Sequence, residues 1–190
     1  WDQNSQHLGP FKTQALSSLL LGMPFRSEKN LVRQIDLFHA TDHYLPRLHK
    51  IPMVATIHDV IPLTYPQWYT LQQRALHKGL GISMRWPNHI ITVSEYSKKE
   101  ILRVVKVPAH RVSVIPNGVS QSWTRLIDHE ELTAVRQRYE LPKRYVIFVG
   151  TIQERKNLGL LLTAFERLSQ EVKKNCDLVI VGKLPKEKSD

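Results

Sequence analysis

The sequence predicts an α/β chain with parallel sheet, arranged in two blocks. Three observations carry this. Short runs of β-branched and aromatic residues alternate with helical stretches along the chain. The runs end in polar or glycine-bearing turns such as Pro116-Asn117-Gly118 and Gly150-Thr151. A polar stretch, 119–143, separates residues 1–118 from 144–190 and reads as an interdomain linker.

In order, Leu37-Phe38-His39-Ala40 predicts a short strand and Met53 to Ile57 a stronger one. A helical stretch runs from about Pro66 to Arg85, followed by the strand Ile90-Ile91-Thr92-Val93. Ser97-Lys98-Lys99-Glu100 has the form of a capping box and is expected to open a helix reaching about Val105. Val112 to Ile115 predicts a strand stopped by the Pro-Asn-Gly turn, and Glu130 to Tyr139 a helix. Tyr145 to Val149 reads as a buried parallel strand. After it, Leu158, Leu161, Leu162, Phe165 and Leu168 recur at helical spacing, and Asp177 to Val181 is a further strand. Neither block is complete by this reading. The first begins without an opening strand, and the second has two strands before the charged stretch 185–190. The chain therefore reads as a piece of a longer protein, or as one that depends on partners.

Composition is that of a soluble globular protein, with 42% hydrophobic and 23% charged residues. No apolar run approaches the ~20 residues needed to span a bilayer, and residues 1–18 are too polar for a signal peptide. The single Cys176 excludes an intrachain disulfide and a cysteine metal cluster, and a cytoplasmic setting fits it. The net charge is +10, and the excess lies in residues 1–116, with fourteen Lys/Arg against seven Asp/Glu. Such a surface favours anionic partners. No helix-turn-helix, zinc or aromatic RNA-binding motif appears, so nucleic acid is not the expected partner.

The most informative stretch is Gly150 to Asn157. Arg155 and Lys156 fall beyond the C-terminal end of a strand and just before a helix, where ligands bind in open α/β sheets. Free N–H groups, the positive end of the helix dipole and two cations would face one volume, which suits a phosphate or diphosphate. The plainer reading is a solvated basic turn. Neither a P-loop nor a dinucleotide fingerprint is present.

His58 and Asp59 follow the strand 53–57 directly, placing a proton-transfer or hydrogen-bonding group at a strand end. Adjacent residues leave a strand on opposite faces, so the two are not expected to act as a dyad. In the plainer alternative His58 is structural and Asp59 caps the next turn. His39, Asp42, His43 and His49 match no metal-ligand spacing, though His39 is expected to line the same cleft as His58. At about 100° per residue, Arg74, His77, Lys78 and Arg85 share one helix face beside Trp68 and Trp86, a stripe that is either solvated or suited to a membrane surface or an anionic acceptor. Asn117-Gly118 reads first as a turn and second as a backbone lining for the cleft.

Taken together, the motifs resemble the group 1, or family 4, glycosyltransferases. The series is His39-Ala40-Thr41, Thr56 to Pro62, Val93 to Lys98, Ile115 to Val119, Phe148 to Thr151 with Arg155-Lys156-Asn157, and Leu178 to Gly182. The resemblance implies the GT-B fold, with two Rossmann-like halves facing across a cleft: an acceptor-side half lacking its first strands, and the start of a donor-binding half. It implies transfer from a nucleotide-sugar donor to a glycan or lipid-linked acceptor with retention of configuration, with no metal and no cofactor. In that family's pattern, Arg155 and Lys156 with Gly150 and Thr151 hold the donor diphosphate, and His58 is the catalytic cleft histidine. Asp59, His39, Asn117 and Gly118 take cleft positions toward acceptor or sugar. The family's glycine-rich loop is not visible, and its E-x7-E region would lie past Asp190, so this stretch alone is not expected to turn over. The resemblance also fits a cytoplasmic enzyme touching the membrane peripherally through its basic N-terminal part. The alternative is a non-catalytic Rossmann-like binding or scaffold module.

Overall fold

The computed structural model describes residues 28–124 and 127–183, with Ala15, Ser17, Ser18 and Phe25. The expected charged stretch 185–190 lies outside the described residues. The chain divides into two compact units, residues 1–118 and 119–190.

The first unit contains a four-stranded parallel sheet in the order β1 (Phe38–Ala40), β2 (Met53–Thr56), β3 (His89–Thr92), β4 (Val112–Val114). One row crosses all four strands in register, Ala40 to Ala55 to Ile90 to Val112, and every member is buried. Val105, Met84, Leu45 and Val60 pack into the same core, as does Ile101 from α4 (Glu95–Val104). Ile101 is fully buried, and Ile101→Ala is expected to cost about 2–5 kcal/mol through lost contacts and an unfilled cavity. A lowered denaturation midpoint for this unit would register it; an unchanged midpoint would place Ile101 outside the core. The opposite sheet face is half-buried apart from the exposed His39, and it carries two polar cross-strand pairs: His39 Nε2 lies 2.9 Å from Thr56 Oγ1, and His89 Nε2 lies 2.9 Å from Ser113 Oγ.

Side chains outside the strands tie this unit together. Glu28, buried in the short helix α1 (Glu28–Leu31), accepts the backbone N–H groups of His49 and Lys50, each at 2.6 Å. Arg111 donates to the carbonyl oxygens of Asn88, Arg85 and Pro87.

Two helix boundaries differ from expectation. The stretch 66–85 is not one helix. A short turn, α2 (Ile61–Thr64), and a 3-10 turn at Pro66–Trp68 precede α3 (Leu71–Ser83), which starts at a capping box: Gln73 N–H donates to Thr70 Oγ1, and the Gln73 side chain accepts Thr70 N–H. A capping side chain satisfies otherwise orphaned helix donors, so Thr70 sets the start. Likewise the cap of α4 is Ser94 and not Ser97, because Ser97 N–H donates to Ser94 Oγ at 3.1 Å. Glu100 instead accepts from Arg103 and from Thr64 Oγ1, and both hold its carboxyl below the ordinary value, Arg103 more strongly.

The second unit holds α5 (His129–Arg138), β5 (Tyr145–Val149), α6 (Leu158–Glu166), α7 (Gln170–Asn175) and β6 (Asp177–Val181). The strands pair in parallel, Tyr145 with Asp177 through Val149 with Val181. β5 is not buried as its composition predicts: Val146, Ile147 and Val149 are exposed, as are Ile180 and Val181 of β6. A parallel strand is normally covered on both faces. Among the described residues of this unit, one neighbouring strand and three helices are too little to do so.

Candidate functional site

β5 leads into a tight turn built from backbone constraints. Gly150 N–H donates to Val181 O at 2.8 Å, and Ile152 N–H to Lys183 O at 3.1 Å, so the turn is stitched to the end of β6. Gly150 has φ +151°, which side-chain-bearing residues rarely adopt, and a Cβ there would collide with Lys156 Nζ. A Cβ on Gly182 would collide with the Gly150 carbonyl oxygen. Glu154–Lys156 form a 3-10 turn, closed by Asn157 in the left-handed conformation at φ +50°. Asn157 then begins α6 without any side-chain cap, so the first N–H groups of that helix receive no side-chain oxygen.

The turn thus brings together Gly150, the Lys156 ammonium and the uncapped start of α6. Arg155 is exposed, with its Nε donating to Gln153 Oε1 at 3.0 Å; Thr151 is exposed beside Gly150. Among the described residues neither Arg155 nor Lys156 pairs with a carboxylate. Two uncompensated cations at a positive helix end make a local concentration of positive charge suited to an anion.

In the first unit, His58 lies exposed just past β2. Asp59 Oδ1 accepts the N–H of Ile61 at 3.0 Å, so Asp59 does brace the following turn. His39 lies within its strand rather than past the end of it. It is the middle residue of β1, across from Val54, and its ring is engaged by Thr56. Asn117 and Gly118 lie exposed after β4, with open space around the Gly118 α-carbon. Asp42 Oδ1 accepts the N–H of the next residue, His43, and the backbone N–H of His49 donates to Glu28 Oε1. Cys176 is half-buried, its thiol 3.8 Å from the Asp177 carbonyl oxygen.

The basic stripe on α3 resolves differently from its helical-wheel reading. Arg85 lies beyond the helix and donates to Val105 O, Arg74 donates to Tyr69 O, and His77 turns to a pocket. Only Arg74 and Lys78 line one cleft, with Leu71 exposed beside them. The pocket at His77 was not anticipated from the residues, although the spacing of His77, Leu80 and Met84 marks one inward face of a helix.

A family model, Glycosyltransferase Family 4, matches residues 5–123, and a second, Glycosyl transferases group 1, matches residues 132–189. The chain is 32% identical to the O-antigen chain mannosyltransferase B of Escherichia coli, over 77% of this chain and 38% of that protein. It is 25% identical to an uncharacterized glycosyltransferase, MJ1607, of Methanocaldococcus jannaschii, over 80% of this chain and 41% of that one. The chain thus spans about two-fifths of the length of these curated relatives. Among solved structures, Anabaena HepE in complex with UDP and glucose superposes with a TM-score of 0.60 at 16% identity, covering 95% of this chain and 46% of HepE. At that identity the likeness is one of fold.

Proposed function

Because the chain belongs to Glycosyltransferase Family 4 and has the α/β, GT-B type of fold, we propose that the protein carrying it transfers a sugar from a nucleotide-sugar to a glycan or lipid-linked acceptor. The supporting observation is the Gly150–Asn157 turn, with its two unpaired cations before an uncapped helix. In this reading Arg155 and Lys156 bind the donor diphosphate, and the backbone at Gly150 and Thr151 approaches its oxygens. The bond between the anomeric carbon and the diphosphate oxygen breaks, an acceptor hydroxyl oxygen bonds to that carbon, and its proton passes to the oxygen of the departing nucleoside diphosphate. Negative charge grows on the leaving diphosphate, and fixed cations placed there lower the barrier. No metal or other cofactor has a part in this scheme.

His58 is assigned to the donor sugar, and Asp59, His39, Asn117 and Gly118 to its surroundings and the acceptor. His39 is the least direct of these, since its ring is engaged by Thr56. The sugar is assigned as mannose, because the Escherichia coli relative is a mannosyltransferase. The reaction is assigned as retaining and its setting as the cytoplasmic side of a membrane. Arg74, Lys78 and the exposed Leu71 make the peripheral contact. No helix among the described residues is long and apolar enough to cross a membrane.

The stereochemical part is tested by proton NMR of the first product formed from a nucleotide-sugar of known anomeric configuration. The same configuration in product as in donor is expected; inversion would refute the retaining assignment.

A further inference from the structure

The two cations of the Gly150–Asn157 turn share one anchor. Gln153 stands just before the 3-10 turn Glu154–Lys156, with an extended backbone. Its carbonyl oxygen accepts the Lys156 N–H at 3.0 Å, and its side-chain Oε1 accepts Arg155 Nε at 3.0 Å. The residue before it is held as well, because Ile152 N–H donates to Lys183 O just past β6. Gln153 therefore carries Arg155 on backbone that is itself fixed to the neighbouring strand.

The bond to Gln153 uses the Nε–H of Arg155 alone. Among the described residues its Nη groups have no hydrogen-bond or ion-pair partner. A guanidinium is planar, so holding Nε limits the plane in which the Nη hydrogens lie, and a pair of parallel N–H groups is what grips a phosphate. An exposed arginine with no such anchor loses more rotamer freedom when it takes up an anion. The chemistry of the anchor matters too. A carboxylate at 153 would also hold Nε, but its charge would offset that of Arg155 and repel a phosphate beside it. Glutamine holds the nitrogen and leaves the charge intact. The adjacent Glu154 makes no ion pair with Arg155 among the described residues.

We infer that Gln153 is a positioning residue of the diphosphate site. Its neutral amide holds Arg155 by Nε, keeps the Nη hydrogens free for phosphate oxygens, and preserves the full positive charge of the turn. Gln153 itself touches no substrate. The inference rests on the reading that Arg155 binds a diphosphate, and adds which residue makes that arginine ready to do so.

The test titrates inorganic pyrophosphate calorimetrically into the complete polypeptide that carries this sequence, and into variants of it. Gln153→Met keeps the length of the side chain and the backbone carbonyl that holds Lys156, and removes only the acceptor for Nε. It is expected to weaken pyrophosphate about fivefold, the scale of one long side chain left to be ordered on binding. In an Arg155→Ala background the same change is expected to have no further effect, because residues that act through one another are not additive. A merely structural role for Gln153 would weaken binding in both backgrounds. Gln153→Glu, which keeps an acceptor for Nε but adds a charge, is expected to bind pyrophosphate more weakly than Gln153→Met. Wild-type affinity in Gln153→Met, an equal loss in the two backgrounds, or wild-type affinity in Gln153→Glu would overturn the assignment. In those cases a loss in Arg155→Ala alone would leave the diphosphate site standing without Gln153. Undiminished binding in Arg155→Ala would instead remove the diphosphate reading, and the role of Gln153 with it.

Discussion

Arg155→Ala and Lys156→Ala, each made in the complete polypeptide, are expected to lower kcat/KM for the nucleotide-sugar about 10²–10³-fold, the loss typical of removing one fixed group that stabilises developing negative charge. The two residues are not equivalent. Lys156 is half-buried, with its ammonium against Gly150, where a compact point charge fits. Arg155 is exposed and oriented by Gln153. Lys156→Arg is therefore expected to fail nearly as badly as Lys156→Ala, because the planar guanidinium does not fit above Gly150. Arg155→Lys should keep part of the activity. Raising the salt concentration should weaken the contribution of Arg155 more, since exposed charges are screened more than half-buried ones. Wild-type kinetics for both alanine variants would remove the turn from the site.

The second large effect is expected at Gly182, a residue that touches no ligand in this scheme. Val181 and Lys183 accept the N–H groups of Gly150 and Ile152, so the end of β6 holds the turn in place from both sides of Gly182. A methyl group at 182 meets the Gly150 carbonyl oxygen, which is backbone and cannot swing aside as the end of a lysine can. Gly182→Ala should cost about 1–3 kcal/mol as overpacking and shift Gly150 with it. Nucleotide-sugar affinity should then fall at least as far as in Lys156→Ala, while the denaturation of the first unit stays at its wild-type midpoint. Unchanged affinity would show that the turn does not depend on the end of β6.

The strands were legible in the residues because each is a short β-branched run between strong turn signals. β5 matches its expected bounds, and β1 to β4 match to within a residue or so. Burial was less legible. Val146 and Ile147 have the composition of a covered strand, and composition reports what a residue suits rather than what is present to cover it. Caps depend on one side-chain oxygen reaching one N–H, so Ser94 and Ser97, both followed three residues on by a partner of some kind, are hard to tell apart without coordinates. The Gly150–Asn157 turn was legible because strand, glycine, cations and helix follow one another locally. The pocket at His77 was not, because it is assembled from three separated segments, 43–44, 59–63 and 76–84. His77 on its own reads as one more polar residue on a helix face.

The central claim is that the Gly150–Asn157 turn is a donor-diphosphate site, and calorimetric titration tests it most directly. GDP-, UDP- and ADP-sugars are titrated into the complete polypeptide and its Arg155→Ala variant. Saturable binding of one nucleotide class, lost or weakened at least a hundredfold in the variant, is the predicted result. A folded wild-type protein that binds none of the three, or a variant that binds as tightly as wild type, would contradict it and favour a Rossmann-like module without transferase activity.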